Sequence, residues 1–159
     1  LATVPDKPSD QRLDSPFFEV PSSPYPVAVL FMHRWNFDAT QACDDGGVLE
    51  YSENNGVTWK AVPRAQLILN PYNGTISEGV YNPLARRQAW CGSSDWSRTV
   101  IDMKPFAGKT VAFRFRMGSG NAGASEGWYV DDFKLQTCVE KPIEDTPYEV
   151  YIPLIFTIP

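Results

Sequence analysis

Two acidic pairs, Asp44-Asp45 and Asp131-Asp132, are the residues of this chain best suited to holding a metal. Calcium collects about six to eight oxygen ligands, and paired carboxylates beside glycine-containing loops can converge to supply several of them. The alternative reading is structural: Asp131 and Asp132 cap loop backbone, and Asp44-Asp45 form a solvated turn. The single histidine, His33, alternates with Val29, Phe31 and Trp35, which places it on the inward side of an apolar strand. A nucleophile–base pair needs a histidine beside a serine or cysteine at an accessible place, and a zinc hydrolase needs His-Glu-x-x-His. The sequence offers neither, so His33 is expected as a hydrogen-bonded core residue and the chain as a non-enzyme. The three cysteines contain no Cys-x-x-Cys spacing and do not suggest a zinc site. Cys43 and Cys91 both lie in loop-like sequence and are expected to form a disulfide, with Cys138 free or paired between chains. Three free thiols is the other reading.

Aromatic residues offer a different chemistry. Trp90, Trp96 and Trp128, with Tyr72 and Tyr81, are candidates for a platform that stacks sugar rings; the bland alternative is that they pack onto the end of a sandwich. Asn73-Gly74-Thr75 is a formal glycosylation sequon.

These residues must be positioned by strands. The chain has 159 residues, enough for one core, with 14 Pro and 11 Gly dividing it into short segments rather than long helices. Strands are expected over residues 15–20, 27–35, 47–52, 57–62, 99–103, 110–117 and 127–135, with Val111, Phe113, Phe115 and Met117 inward and Arg114 and Arg116 outward. A hairpin is expected around Asn54-Asn55-Gly56. There Ser52-x-Asn54-x-Gly56-x-Thr58-Trp59 has the form of a side-chain-bonded turn with a tryptophan packed beneath it. Residues from about 65 to 97 read as an irregular insertion.

The net charge of −5, with no basic cluster beyond Arg86-Arg87, argues against a nucleic-acid partner. No run reaches the roughly 20 apolar residues of a membrane-spanning helix. Leu1 opens a polar, proline-containing stretch that does not read as a signal peptide; if the protein is exported, this is expected to be its mature form.

The C-terminal residues behave differently. Val150, Ile152, Leu154, Phe156 and Ile158 alternate, so one extended strand would carry all five on one face. Each such side chain left in water forgoes roughly 1.5–3 kcal/mol, so the segment must dock. The organisation expected is a β-sandwich over residues 1–138, a polar, proline-containing linker over 139–147 and an apolar strand over 148–159.

The ordered series Asp45-Gly46-Gly47-Val48-Leu49-Glu50-Tyr51-Ser52, Asn82-Pro83-Leu84, Ala89-Trp90, Pro105-Phe106-Ala107-Gly108 and Gly127-Trp128-Tyr129-Val130-Asp131-Asp132 resembles MAM-like jelly-roll domains. These include the accessory domain of immune inhibitor A-type secreted metalloproteases. The resemblance spans roughly Gln11 to Cys138. It implies an all-β, two-sheet antiparallel jelly-roll sandwich, secretion, a non-catalytic role and a cation near one sheet end. The function expected first is an extracellular structural or adhesive subunit that forms a homopolymer, a filament or surface layer, by donating its C-terminal strand to the next copy. The alternative is a calcium-stabilised secreted module that binds a protein or glycan, its C-terminal segment folded back or serving as a sorting signal.

Overall fold

The computed structural model describes residues 2–4, 8–37, 43–79, 81–120, 125–138, 149–151 and 155–156. Its strands are β1 (Ala2–Val4), β2 (Ser9–Asp14), β3 (Phe18–Glu19), β4 (Val27–Asn36), β5 (Gly46–Ser52), β6 (Lys60–Ala61) and β7 (Leu67–Leu69). They continue with β8 (Gly74–Thr75), β9 (Gln88–Ala89), β10 (Ser93–Asp102), β11 (Thr110–Ser119), β12 (Ser125–Thr137), β13 (Glu149–Tyr151) and β14 (Ile155–Phe156). Two short 3₁₀ turns interrupt them, at Arg64–Gln66 and Lys104–Phe106.

The fold is an all-β sandwich of antiparallel sheets. Sheet one has the order β1-β12-β4-β10-β7, with β13 also on β12; sheet two has the order β14-β2-β11-β5-β6, with β3 also on β11. The alternation in β4 sets the packing: Val29, Phe31, His33 and Trp35 are all buried, while the residues between them are only partly covered. Val111, Phe113, Phe115 and Met117 of β11 are buried opposite them. Between the sheets the rings of Phe31 and Phe115 meet edge to face at 4.9 Å, and those of Phe115 and Trp128 at 5.5 Å. Such pairs add about 0.5–1.5 kcal/mol each beyond the area they bury.

Several elements differ from expectation. Of the strand expected over 15–20 only β3 forms, and an unexpected strand, β2, precedes it; both pair with β11. Ser15 bridges the break: its N–H donates to the Phe113 carbonyl (2.8 Å) and its Oγ accepts from the Phe113 N–H (2.9 Å). Pro16 follows, and a proline cannot donate to the ladder. Of the strand expected over 57–62 only Lys60–Ala61 pairs with β5. β10 begins at Ser93, well before residue 99.

The stretch expected as an irregular insertion also contributes a third, smaller layer. β8 and β9 pair with each other, and Trp90 bridges to Gly47 of β5. Val48, Ile76, Leu84, Ala89 and Cys91 form a second small core. Cys43 and Cys91 form a disulfide there, with Cα atoms 5.2 Å apart, and Cys138 is free and exposed.

The C-terminal segment is two strands rather than one. β13 pairs with Lys134–Gln136 of β12 in sheet one, and β14 pairs with Leu13 and Asp14 of β2 in sheet two. Pro153 falls between them in sequence; a proline has no N–H to give to a ladder. Val150 and Phe156 lie in these strands; Ile152, Leu154 and Ile158, like the linker over 139–147, lie outside the described residues.

The disulfide spans 48 residues of sequence. In the loop-entropy account a closure of that length stabilises the fold by about 4 kcal/mol. Urea unfolding with and without a reductant is expected to show a loss of that order, and equal midpoints would mean that the third layer holds without the bond.

Candidate functional site

The inner face carries a polar knot. His33 is fully buried, and the Trp128 indole N–H donates to its Nδ1 (3.2 Å), which leaves the ring proton on Nε2. Nε2 lies 2.9 Å from Thr99 Oγ1, which accepts that proton, and 2.9 Å from the side-chain amide of Asn70. An amide nitrogen facing Nε2–H would set two donors against each other. With the amide turned over, its oxygen rather than its nitrogen faces Nε2–H, within 3.0 and 3.2 Å of the hydroxyls of Ser97 and Thr99. Burial drives the His33 pKa down to about 3, so the ring is neutral at ordinary pH. Enclosed by Phe31, Trp35, Trp90 and Trp128, it ties β4 to β12, β10 and the residue after β7 within sheet one.

The two acidic pairs stand on different sheets. Asp44 and Asp45 lead into β5 of sheet two, where the buried Asp45 accepts from the Gly120 N–H (2.6 Å) and the Asp44 carbonyl accepts from Asn82 (2.8 Å). Asp131 and Asp132 are exposed on β12 of sheet one; Asp131 Oδ1 accepts from the Asp132 N–H (2.7 Å), and Asp132 has φ 51°. Among the described residues no group of three or more His, Cys, Asp or Glu is placed to hold a metal ion. The sequon is engaged as well. Asn73 donates to the Cys91 carbonyl (3.1 Å) and accepts from the Cys91 N–H (2.8 Å), clamping one end of the disulfide. A Cβ on Gly74 would come within 2.6 Å of Cys91 Sγ. Asn73 and Thr75 are nonetheless exposed.

The aromatic platform expected from sequence does not assemble as written. Tyr72, Trp90 and Trp128 are buried in the main core. The Tyr72 hydroxyl accepts from the N–H of Leu49 and donates to its carbonyl (3.1 Å each), occupying the edge of β5. The Asn54 turn is built as expected: Thr58 N–H donates to Asn54 Oδ1 (2.9 Å), Gly56 N–H to Ser52 Oγ (3.0 Å), and Trp59 Nε1 to the Gly56 carbonyl (3.1 Å).

Trp96 and Tyr81 remain at the surface, and Trp96 is part of an organised row on the outer face of sheet one. Ser94 pairs with Trp35 and Ser97 with His33, so Asp95 and Trp96 together oppose the single residue Arg34. Trp96 stands outward, 48% exposed, and the β-bulge adds Asp95 to the same face. Across β4, Arg34 pairs with Tyr129 of β12. Its guanidinium stacks over the Tyr129 ring at 4.6 Å and is ion-paired with Glu126. Tyr129 in turn donates to Glu126 (3.2 Å) and meets Trp96 edge-on at 6.5 Å. Sequence reasoning missed Tyr129 and Arg34 because a bulge hides cross-strand register; the signal present was Trp96 beside Asp95 in a polar stretch.

A scan against protein-family models and a search of curated proteins each found no match.

His33 makes the fold sensitive to acid. Its folded pKa lies below the ordinary 6.5, so between pH 6.5 and about 3 the unfolded chain binds a proton that the folded chain refuses. Stability is therefore complete above pH 6.5 and falls with acidification, by at most about 1.4 kcal/mol per pH unit from this group. Asp10 adds to the loss lower down. Burial alone would raise its pKa, but the hydrogen bonds and charges of Arg116 and Arg12 prevail and hold it at about 2. Urea unfolding between pH 7 and 4 is expected to show the decline in the native protein and a flatter profile in His33→Gln; equal slopes would exclude His33 as its source.

Proposed function

We propose that this chain is a non-catalytic extracellular binding module of MAM-like jelly-roll type, whose C-terminal segment closes the edges of its own sandwich. The observation that carries the reading is the unequal treatment of the two outer faces. That of sheet two is occupied by the ion pairs Arg114–Asp14, Arg116–Asp10, Arg116–Glu50 and Arg87–Glu50 and by the small third layer. That of sheet one presents the row of Trp96, Arg34 and Tyr129 to solvent. The disulfide supports an oxidising compartment, since thiols in most cytosols are kept reduced. The series from Asp45 to Asp132 that resembles secreted accessory domains supports the same reading. Calcium is left out of it, because the acidic pairs lie on different sheets and have backbone partners.

A second reading, strand donation between copies into a filament, is favoured by the way β13 and β14 attach. Both add to sheet edges through the backbone ladder, and a neighbour's segment could fill the same places. Magnitude decides between the two in dilute solution. The connection over 137–148 tethers the segment to its own β12, and a short tether gives an effective concentration on the order of millimolar. A second copy at micromolar concentration cannot compete with that. Donation in trans therefore needs crowding, as in a surface layer.

Two measurements test these readings. Light scattering is expected to find the intact chain monomeric at micromolar concentration. A chain ending at Thr146 is expected to melt lower and to associate, because the edges at Leu13–Asp14 and Lys134–Gln136 lose their partners. Fibres of the intact chain that vanish on truncation would replace closure in cis by donation. Depletion of the purified protein by washed extracellular material tests binding itself: retention supports the module, and its absence from every surface tried removes that reading.

A further inference from the structure

Resting on the binding-module reading, we propose that the row of Trp96, Arg34 and Tyr129 on sheet one is a binding site for a neutral polysaccharide. The fold does not require these side chains where they are. A half-exposed tryptophan forgoes part of its roughly 1.5–3 kcal/mol of burial. An exposed ion pair such as Arg34–Glu126, with side chains 33% and 47% accessible, contributes at most about 1 kcal/mol. Yet the row is held in place from several sides: the bulge sets Asp95 beside Trp96, Tyr129 abuts its ring, and Glu126 is shared by Arg34 and the Tyr129 hydroxyl.

The chemistry presented matches a sugar ring. One face of a pyranose is lined with C–H groups that lie against an indole, and its hydroxyls both donate and accept. Beside Trp96 stand a guanidinium, which only donates, and a carboxylate, which only accepts, so adjacent hydroxyls can be held in both senses. The row crosses three neighbouring strands, about 10 Å at the usual strand spacing, which is wide enough for a chain of sugars to lie across it.

Charge selects among sugars. In the next row of the same face, Arg98 and Asp131 flank Met32 on either side. With Asp95 beside Trp96, acidic and basic groups alternate along the face and no cationic patch forms. On a chain of net charge −5 this disfavours sulfated or uronic acid polymers as well as nucleic acid. A protein ligand would gain more from a continuous apolar centre than from this mixed row.

Affinity electrophoresis tests the site, with hydroxyethylcellulose, arabinoxylan or galactomannan cast into native gels and dextran sulfate as the anionic control. At least one neutral polymer is expected to retard the protein. Trp96→Ala is expected to weaken that retardation at least tenfold with an unchanged melting temperature, and Arg34→Gln to weaken it less. No retardation by any neutral polymer, retardation by dextran sulfate alone, or equal retardation of native protein and Trp96→Ala would each overturn the proposal. If neutral polymers fail while washed extracellular material still depletes the protein, the saccharide assignment falls and the binding module stands; if both fail, both fall.

Discussion

An open β-sandwich has sheet edges, and every unpaired N–H and C=O along them must find a partner or recruit another chain. That constraint organises this molecule. The β5 edge is closed piecemeal: β6 pairs at Glu50 and Tyr51, the Tyr72 hydroxyl takes both backbone groups of Leu49, and Trp90 bridges to Gly47. β12 presents one free side along its whole length and fills it with two separate pieces. β1 pairs with its first half, at Ser125 and Trp128, and β13 with its second, at Lys134–Gln136. The bulge at Asp132–Phe133, opposite Phe31, divides these halves. The acidic pair that reads in sequence as a metal site thus sits where one edge partner ends and the next begins.

The parts of the fold legible in the sequence are those in which one physical pattern acts alone. β4 alternates along its whole length and β11 from Phe113 to Met117, because there each has one face in the core and one turned away, and period two then places His33 and Phe115 correctly. The Asn54 hairpin was legible because its bonds are local. β2 was not: Ser9–Asp14 is mostly polar, and it is held in sheet two by cross-strand pairing, including the paired contacts of Asp14 with Arg114 and of Asp10 with Arg116 at 2.7–2.8 Å. Nothing in a single strand announces a partner more than a hundred residues away. The glycines before Val48 make the same point. Gly47 is required because the Trp128 ring lies 2.7 Å from where a Cβ would stand, a contact between two sheets.

Residue type also misled in a consistent direction. Tryptophans in loop-like sequence suggested a platform, but Trp90 and Trp128 are the pieces that fill the centre of the sandwich. Each has its indole N–H bonded inside, to the Asn70 carbonyl (3.0 Å) and to His33. A large ring with one polar atom is economical to bury wherever a single acceptor exists, and Asn70 supplies acceptors to several neighbours at once. Trp96 differs only in register, not in local composition.

Register is set by defects. β4 is flanked by two bulged strands: β10 gains a residue opposite Arg34, and β12 gains one opposite Phe31. Without the first, the inward–outward alternation of β10 running back from Thr99 and Ser97 would carry past Trp96 unbroken, and Ser94, rather than Asp95, would share its face. The extra residue places Asp95 and Trp96 together on the outer side while Ser94 returns opposite Trp35. One inserted residue therefore keeps the core pairing intact on both sides and delivers an acid to the exposed face that already carries the aromatic. A bulge weakens a ladder, and this one has a core reason as well as a surface one: in an unbroken strand Asp95 would fall opposite Trp35, on the buried face of β4, where an unpaired carboxylate is costly.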